Sequence, residues 1–144
     1  GMEGWSRGGM MTYLSLSKSK VNFKAVMVAG GVSNLHCSEK DSPYIKLVSE
    51  KIFPGLPIEK FVDECEKRSV TSFINKLPKD THYLLLHGTA DESVSPLDTI
   101  NLAREFQKEN LHYRLVMFED GDHFLRKHRK EVNELRKMWF KKYL

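Results

Sequence analysis

Three apolar runs frame this 144-residue chain. Phe23–Ala29 (FKAVMVA) is nearly continuous and stops at Gly30-Gly31, His82–His87 (HYLLLH) stops at Gly88, and His112–Phe118 (HYRLVMF) stops at an acidic loop. Short runs of this kind, ended by turn residues, predict strands buried on both faces, as in a parallel sheet. Elsewhere the apolar period is that of a helix. Met10, Tyr13, Leu14 and Leu16 place a helix over Gly9–Ser17. Ile100, Leu102, Ala103 and Phe106 place another from Pro96 to about Lys108. Val132, Leu135, Trp139 and Tyr143 place a last one over His128–Tyr143. Strands alternating with helices predict an α/β fold, with a parallel sheet of about three strands and flanking helices.

Residues 32–80 break this rhythm. They hold Pro43, Pro54, Pro57 and Pro78, with short helical patterns between them. Tyr44, Leu47 and Val48 predict one helix. Ile58, Phe61, Val62 and Cys65 repeat at i, i+3, i+4, i+7 and predict a second, with Pro57 in its first turn. A third short helix is expected over Val70–Lys76. The region reads as a helical excursion between two strands of one domain spanning residues 1–144.

Composition changes the picture little. The chain is 40% hydrophobic and 29% charged, with a net charge of +4, as expected of a globular domain. The basic residues are mixed with acids, so no nucleic-acid partner is expected. The densest run, Arg126-Lys127-His128-Arg129-Lys130, reads as a solvated helix face. Cys37 and Cys65 lack zinc spacing and read as idle thiols in a reducing compartment, although a disulfide stays open. No apolar run approaches the roughly 18 residues of a membrane span. With no signal-peptide pattern either, a cytoplasmic location without membrane partners is expected. Gly1 ahead of Met2 reads as a remnant of tag removal.

Three short motifs carry chemistry. Gly4-Trp5-Ser6-Arg7-Gly8 has the form G-x-S-x-G, a strained strand-to-helix turn that holds a serine hydroxyl at a helix N-terminus. Small residues on either side of the serine let strand and helix backbones approach, and the next backbone N–H, that of Arg7, can donate to an oxyanion. His87-Gly88-Thr89-Ala90-Asp91 follows one predicted strand and Glu119-Asp120-Gly121-Asp122-His123 the next. Both place their terminal residue past a strand's carboxyl end, where α/β proteins build sites. A serine is a poor nucleophile without an adjacent base. His123 can take its proton and return it to a leaving group, while Asp91 orients the imidazole. Singly, each has a plainer alternative: a linker serine, an aspartate capping the turn before Pro96, a loop histidine beside carboxylates. The acidic residues of the last loop lack EF-hand spacing. His82 and His87 should face opposite sides of their strand, which argues against a shared metal.

The strings GWSRGGM, HGTADESVSP and MFEDGDHFL resemble the nucleophile elbow, acid loop and histidine loop of prolyl oligopeptidase-family serine peptidases, members of the α/β-hydrolase superfamily. Leu77-Pro78 before HYLLLHG and the closing MWFKKYL fit too, so the likeness runs over nearly the whole chain. The resemblance implies a serine hydrolase, peptidase or esterase, with Ser6 as nucleophile, His123 as base, Asp91 as its partner and Arg7 as an oxyanion N–H donor. It implies a peptide or ester substrate and neither metal nor organic cofactor. Two departures stand out. Phe124 follows the histidine where glycine is frequent in the family. Only five residues precede Ser6, so the chain reads as a truncated α/β-hydrolase fold, lacking the N-terminal strands, the strand that feeds the elbow and the second oxyanion loop. The alternative is a catalytically impaired fragment or assembly module descended from such a hydrolase. On this reading Phe23–Ala29 has one unpaired edge, and a homodimer through that edge is expected.

Overall fold

The computed structural model describes residues 1–35, 50–51 and 53–144. Its centre is a four-stranded, wholly parallel sheet: β1 (Met2–Trp5), β2 (Ala25–Ala29), β3 (His82–Gly88) and β4 (His112–Phe118), side by side in chain order. Helix α1 (Arg7–Lys18) joins β1 to β2. The excursion between β2 and β3 contains α2 (Ile58–Arg68) and two 3₁₀ turns, Val70–Ser72 and Ile74–Lys76. Helix α3 (Pro96–Lys108) joins β3 to β4, and α4 (Arg129–Tyr143) closes the chain. The helix expected around Tyr44, Leu47 and Val48 lies outside the described residues, as does Cys37.

Strand alternation sorts the core into two layers. Val26, Val28, Tyr83 and Leu85 pack with Tyr13 and Leu16 of α1 and with Leu102, Ala103 and Phe106 of α3. Ala25, Met27, Ala29, Leu84 and Leu86 face the other way, onto Val132, Leu135 and Trp139 of α4. Both faces of β2 and β3 are therefore covered, which is why their sequences are apolar without alternation. A third cluster joins Phe61 and Cys65 of α2 to Met10, Val32, Leu35 and Val94, fastening the excursion beside the start of α1.

The parallel sheet is as expected, with four strands where about three were expected, because Met2–Trp5 ahead of Ser6 form β1. Only Met2 and Trp5 of that segment are large and apolar, too few to show a strand pattern. Two expectations are corrected. First, the strand that feeds the serine is present, and Phe23–Ala29 has no open edge: β1 pairs along it from Met2↔Val26 to Trp5↔Ala29. The 12 residues of α1 give the crossover that a parallel neighbour requires. Antiparallel pairing of a second copy on β2 is thereby blocked, since its backbone groups are already used on both sides. Second, Cys65 is disulfide-bonded rather than an idle thiol. It is fully buried in the cluster that also holds Leu35, whose N–H donates to Ser69 Oγ at the end of α2 (2.9 Å), so the chain leaving β2 passes next to Cys65.

The apolar layer under α1 and α3 centres on Phe106, which is completely buried and meets Tyr13, Tyr83 and Tyr113 edge-on at 5.0–6.3 Å. Phe106→Ala is expected to lower the unfolding free energy by about 3–5 kcal/mol. Leu97→Ala, on the same helix but 64% exposed, should stay within about 0.5 kcal/mol. Urea denaturation of the two variants checks both.

Candidate active site

Ser6 lies between β1 and α1 with φ 54° and ψ −123°, a backbone conformation that costs a non-glycine residue on the order of 1–3 kcal/mol. The surroundings hold it there. Its N–H donates to the Ala29 carbonyl (3.0 Å), and its carbonyl accepts from Gly9 (2.9 Å) and more weakly from Val32 (3.3 Å). Arg7 is the first residue of α1, and a first-turn N–H has no acceptor within its own helix. The glycines act differently from what the motif implies. A Cβ on Gly4 would fall 2.4 Å from the Gly8 carbonyl oxygen, whereas a Cβ on Gly8 would meet nothing within 4 Å. The close approach between strand and helix is thus made at Gly4.

Asp91 and His123 follow neighbouring strands and meet: His123 Nδ1 stands 2.8 Å from Asp91 Oδ2. The two loops are zipped together. Thr89 N–H donates to the Phe118 carbonyl and Ala90 N–H to the Gly121 carbonyl (2.9 and 3.0 Å), and Asp120 N–H donates to Thr89 Oγ1 (2.9 Å). Gly88 allows this contact, since a Cβ there would stand 2.1 Å from the Gly121 carbonyl oxygen.

The Asp91 side chain is fully buried and accepts from four directions. Oδ1 takes the N–H groups of Ser93 (2.8 Å) and Val94 (2.9 Å). Oδ2 faces His123 and, at 3.1 Å, Nε2 of His87. Burial alone would raise this carboxyl, but the donors outweigh it, His87 foremost, then Val94, His123 and Ser93, and bring it down to about 2. With Nδ1 of His123 committed to Asp91, Nε2 is its remaining ring nitrogen.

Two residues with clear contacts here were not singled out for them by the sequence. Trp5 donates its indole N–H to the His123 carbonyl (3.0 Å), tying the histidine loop to β1. The only signal was its place beside Ser6. His87, considered above only as a metal ligand, points toward α3 and Asp91, while His82 stacks on Tyr143 of α4 across the sheet (3.8 Å between ring centres). Its signal was a histidine four residues before the acid. Phe124 is 47% exposed. Its ring lies edge-on to His123 at 5.1 Å, with the Arg126 guanidinium 4.9 Å above it. Arg126 is held in turn by Asp122 (3.0 Å), so the acidic loop is engaged in pinning its own turn.

A parallel sheet with helices on both faces, a helix launched from the serine turn, and loops converging past the strand ends define an α/β-hydrolase fold. Residues 1–144 match the sequence profile of the prolyl oligopeptidase family, and the chain belongs to that family. It is 28% identical over 120 residues to prolyl endopeptidase FAP of Mus musculus, covering 83% of this chain and 15% of that one. It is 28% identical over 121 residues to dipeptidyl peptidase 4 of Sus scrofa, with the same coverage. Among solved structures, it superposes on Pyrococcus horikoshii acylaminoacyl peptidase with a TM-score of 0.82 at 21% identity, over 99% of this chain and 23% of that one. A puromycin-hydrolyzing peptidase of Mycobacterium tuberculosis gives 0.75 at 27% identity, over 92% and 20%. The chain therefore spans about 15% of the length of the curated relatives it matches.

The depressed Asp91 carboxyl sets a pH dependence. A carboxyl whose folded value lies below its ordinary 3.8 adds stability that is complete above the unfolded value and is lost as pH falls through the folded one. Between pH 5 and pH 2 the wild-type chain should lose about 2 kcal/mol more stability than Asp91→Asn, read from urea midpoints across that range.

Proposed function

We propose that the chain is a serine hydrolase acting on peptide or ester bonds, with Ser6 as nucleophile, His123 as general base and Asp91 as its partner. The observation that carries this is the 2.8 Å contact between His123 Nδ1 and the buried Asp91 carboxylate, on loops that leave the sheet at the same end as the strained Ser6 turn. The relatives' names, prolyl endopeptidase and dipeptidyl peptidase, favour peptide substrates.

In this reading Ser6 Oγ attacks the substrate carbonyl carbon as its proton passes to His123 Nε2. The carbonyl oxygen becomes an oxyanion, to which the Arg7 N–H donates. Collapse of the tetrahedral adduct breaks the bond to the leaving amine or alcohol, which takes the proton from His123. Water then attacks the Ser6 ester, gives its proton to His123, and the acid departs as Ser6 Oγ is reprotonated. Asp91 stays ionised throughout and stabilises the imidazolium.

Fluorophosphonate labelling tests this on the chain as it stands. Covalent labelling at Ser6 is expected, lost in Ser6→Ala and His123→Gln and slowed by about 10³–10⁴-fold in Asp91→Asn, as followed by intact-mass spectrometry. Wild-type protein that stays unlabelled would favour the impaired descendant over the hydrolase.

A further inference from the structure

His87 is completely buried at the end of β3, and Thr99, on the first turn of α3, is 5% exposed. Their side chains meet at 2.6 Å, His87 Nδ1 to Thr99 Oγ1. The other ring nitrogen, Nε2, stands 3.1 Å from the Val94 carbonyl oxygen and also 3.1 Å from Asp91 Oδ2. Both of those neighbours are acceptors only, so Nε2 carries the hydrogen and shares it between them. In the neutral ring Nδ1 is then the acceptor, and the Thr99 hydroxyl donates to it.

A histidine that merely filled the core would need no more than the Thr99 hydroxyl and the Val94 carbonyl to satisfy both nitrogens. Here the ring also contacts the oxygen that receives His123. We propose that His87 is a positioning residue for the site: Thr99 fixes its Nε2–H tautomer, and that N–H holds the Asp91 carboxylate ionised and oriented toward His123. The inference rests on the hydrolase reading for its purpose, but its geometry stands apart from it. Asp91 is thus gripped on Oδ1 by its own loop and on Oδ2 by two imidazoles approaching from different elements, His87 on β3 and His123 beyond β4. From β2 the pair is approached by the backbone of Gly30, where a Cβ would stand 3.4 Å from His123 Nδ1 and 3.5 Å from Asp91 Oδ2. No charged side chain faces it from that strand among the described residues.

Carbon-13 titration of the Asp91 carboxyl in the 144-residue chain tests the proposal without requiring turnover. In wild type the resonance should titrate near pH 2. In His87→Leu the midpoint should rise by about one pH unit or more, because a buried carboxylate has lost a donor. His87→Gln, whose amide N–H reaches the place of Nε2, should restore it to within about half a unit. A merely structural histidine would lower stability in both variants without this split. A folded His87→Leu chain, judged by near-ultraviolet circular dichroism, whose Asp91 midpoint does not move overturns the proposal. Should neither variant fold, wild-type His87 decides by nitrogen-15 resonance: a proton on Nε2 that shows a coupling across the hydrogen bond to the Asp91 carboxyl carbon supports the proposal, and a proton on Nδ1, or an Nε2 proton without that coupling, overturns it. Fluorophosphonate labelling of Ser6 is read in parallel. Unlabelled wild type removes the hydrolase reading and leaves the Asp91 result intact, whereas labelling with an unmoved Asp91 midpoint removes only the role of His87.

Discussion

A carboxylate buried away from water is tolerated only when its charge is met by donors, and Asp91 imposes that requirement on half of the fold. Its four N–H partners come from β3, from the loop entering α3 and from the loop leaving β4. Those segments cannot shift independently without stranding the charge. The contact of His87 with Thr99 extends the tie into α3, and the backbone bonds between the Thr89 and Gly121 loops lock β3 to β4 past the end of the sheet.

The sheet supplies the convergence that this arrangement needs. Because every strand is parallel, every strand-to-helix loop emerges at one end, and residues 85 positions apart in sequence can share a site there. β1 is short, four residues, yet it is fastened at both ends of its run. Glu3 is ion-paired with Arg136 of α4 (2.6 Å), and Trp5 holds the His123 carbonyl. The first strand is therefore anchored to the last helix and to the histidine loop, and the Ser6 turn that follows it is kept in its strained form by the Ala29 and Val32 contacts.

The same architecture explains the chemical character of the site. Asp91 is buried, and the hydrogen bonds it accepts hold its carboxyl well below the usual carboxylate range. His123 is only slightly exposed, 11%, with the Phe124 ring edge-on to it and the Arg126 guanidinium over that ring.

Some of this was written in local order along the chain. The runs at β2, β3 and β4 are apolar on both faces, and only a covered parallel sheet accommodates such runs, so fold class followed from them directly. Asp91 and His123 each lie a few residues past such a run, and parallel strands bring those loops to one end. What local order could not carry was pairing between distant segments. Four of the five residues before Ser6 become a strand only because β2 offers them an open ladder. Gly4 rather than Gly8 makes the close approach at the serine because of where the α1 backbone lies. The contact of His87 with Asp91 depends on the turn that brings residue 91 back toward residue 87 and on the docking of α3, which delivers Thr99. Hydrophobic periodicity reports which side of an element is buried. It does not report which polar atoms meet once it is, and in this protein that was decided by the tertiary packing of β1, α3 and the loop after β4.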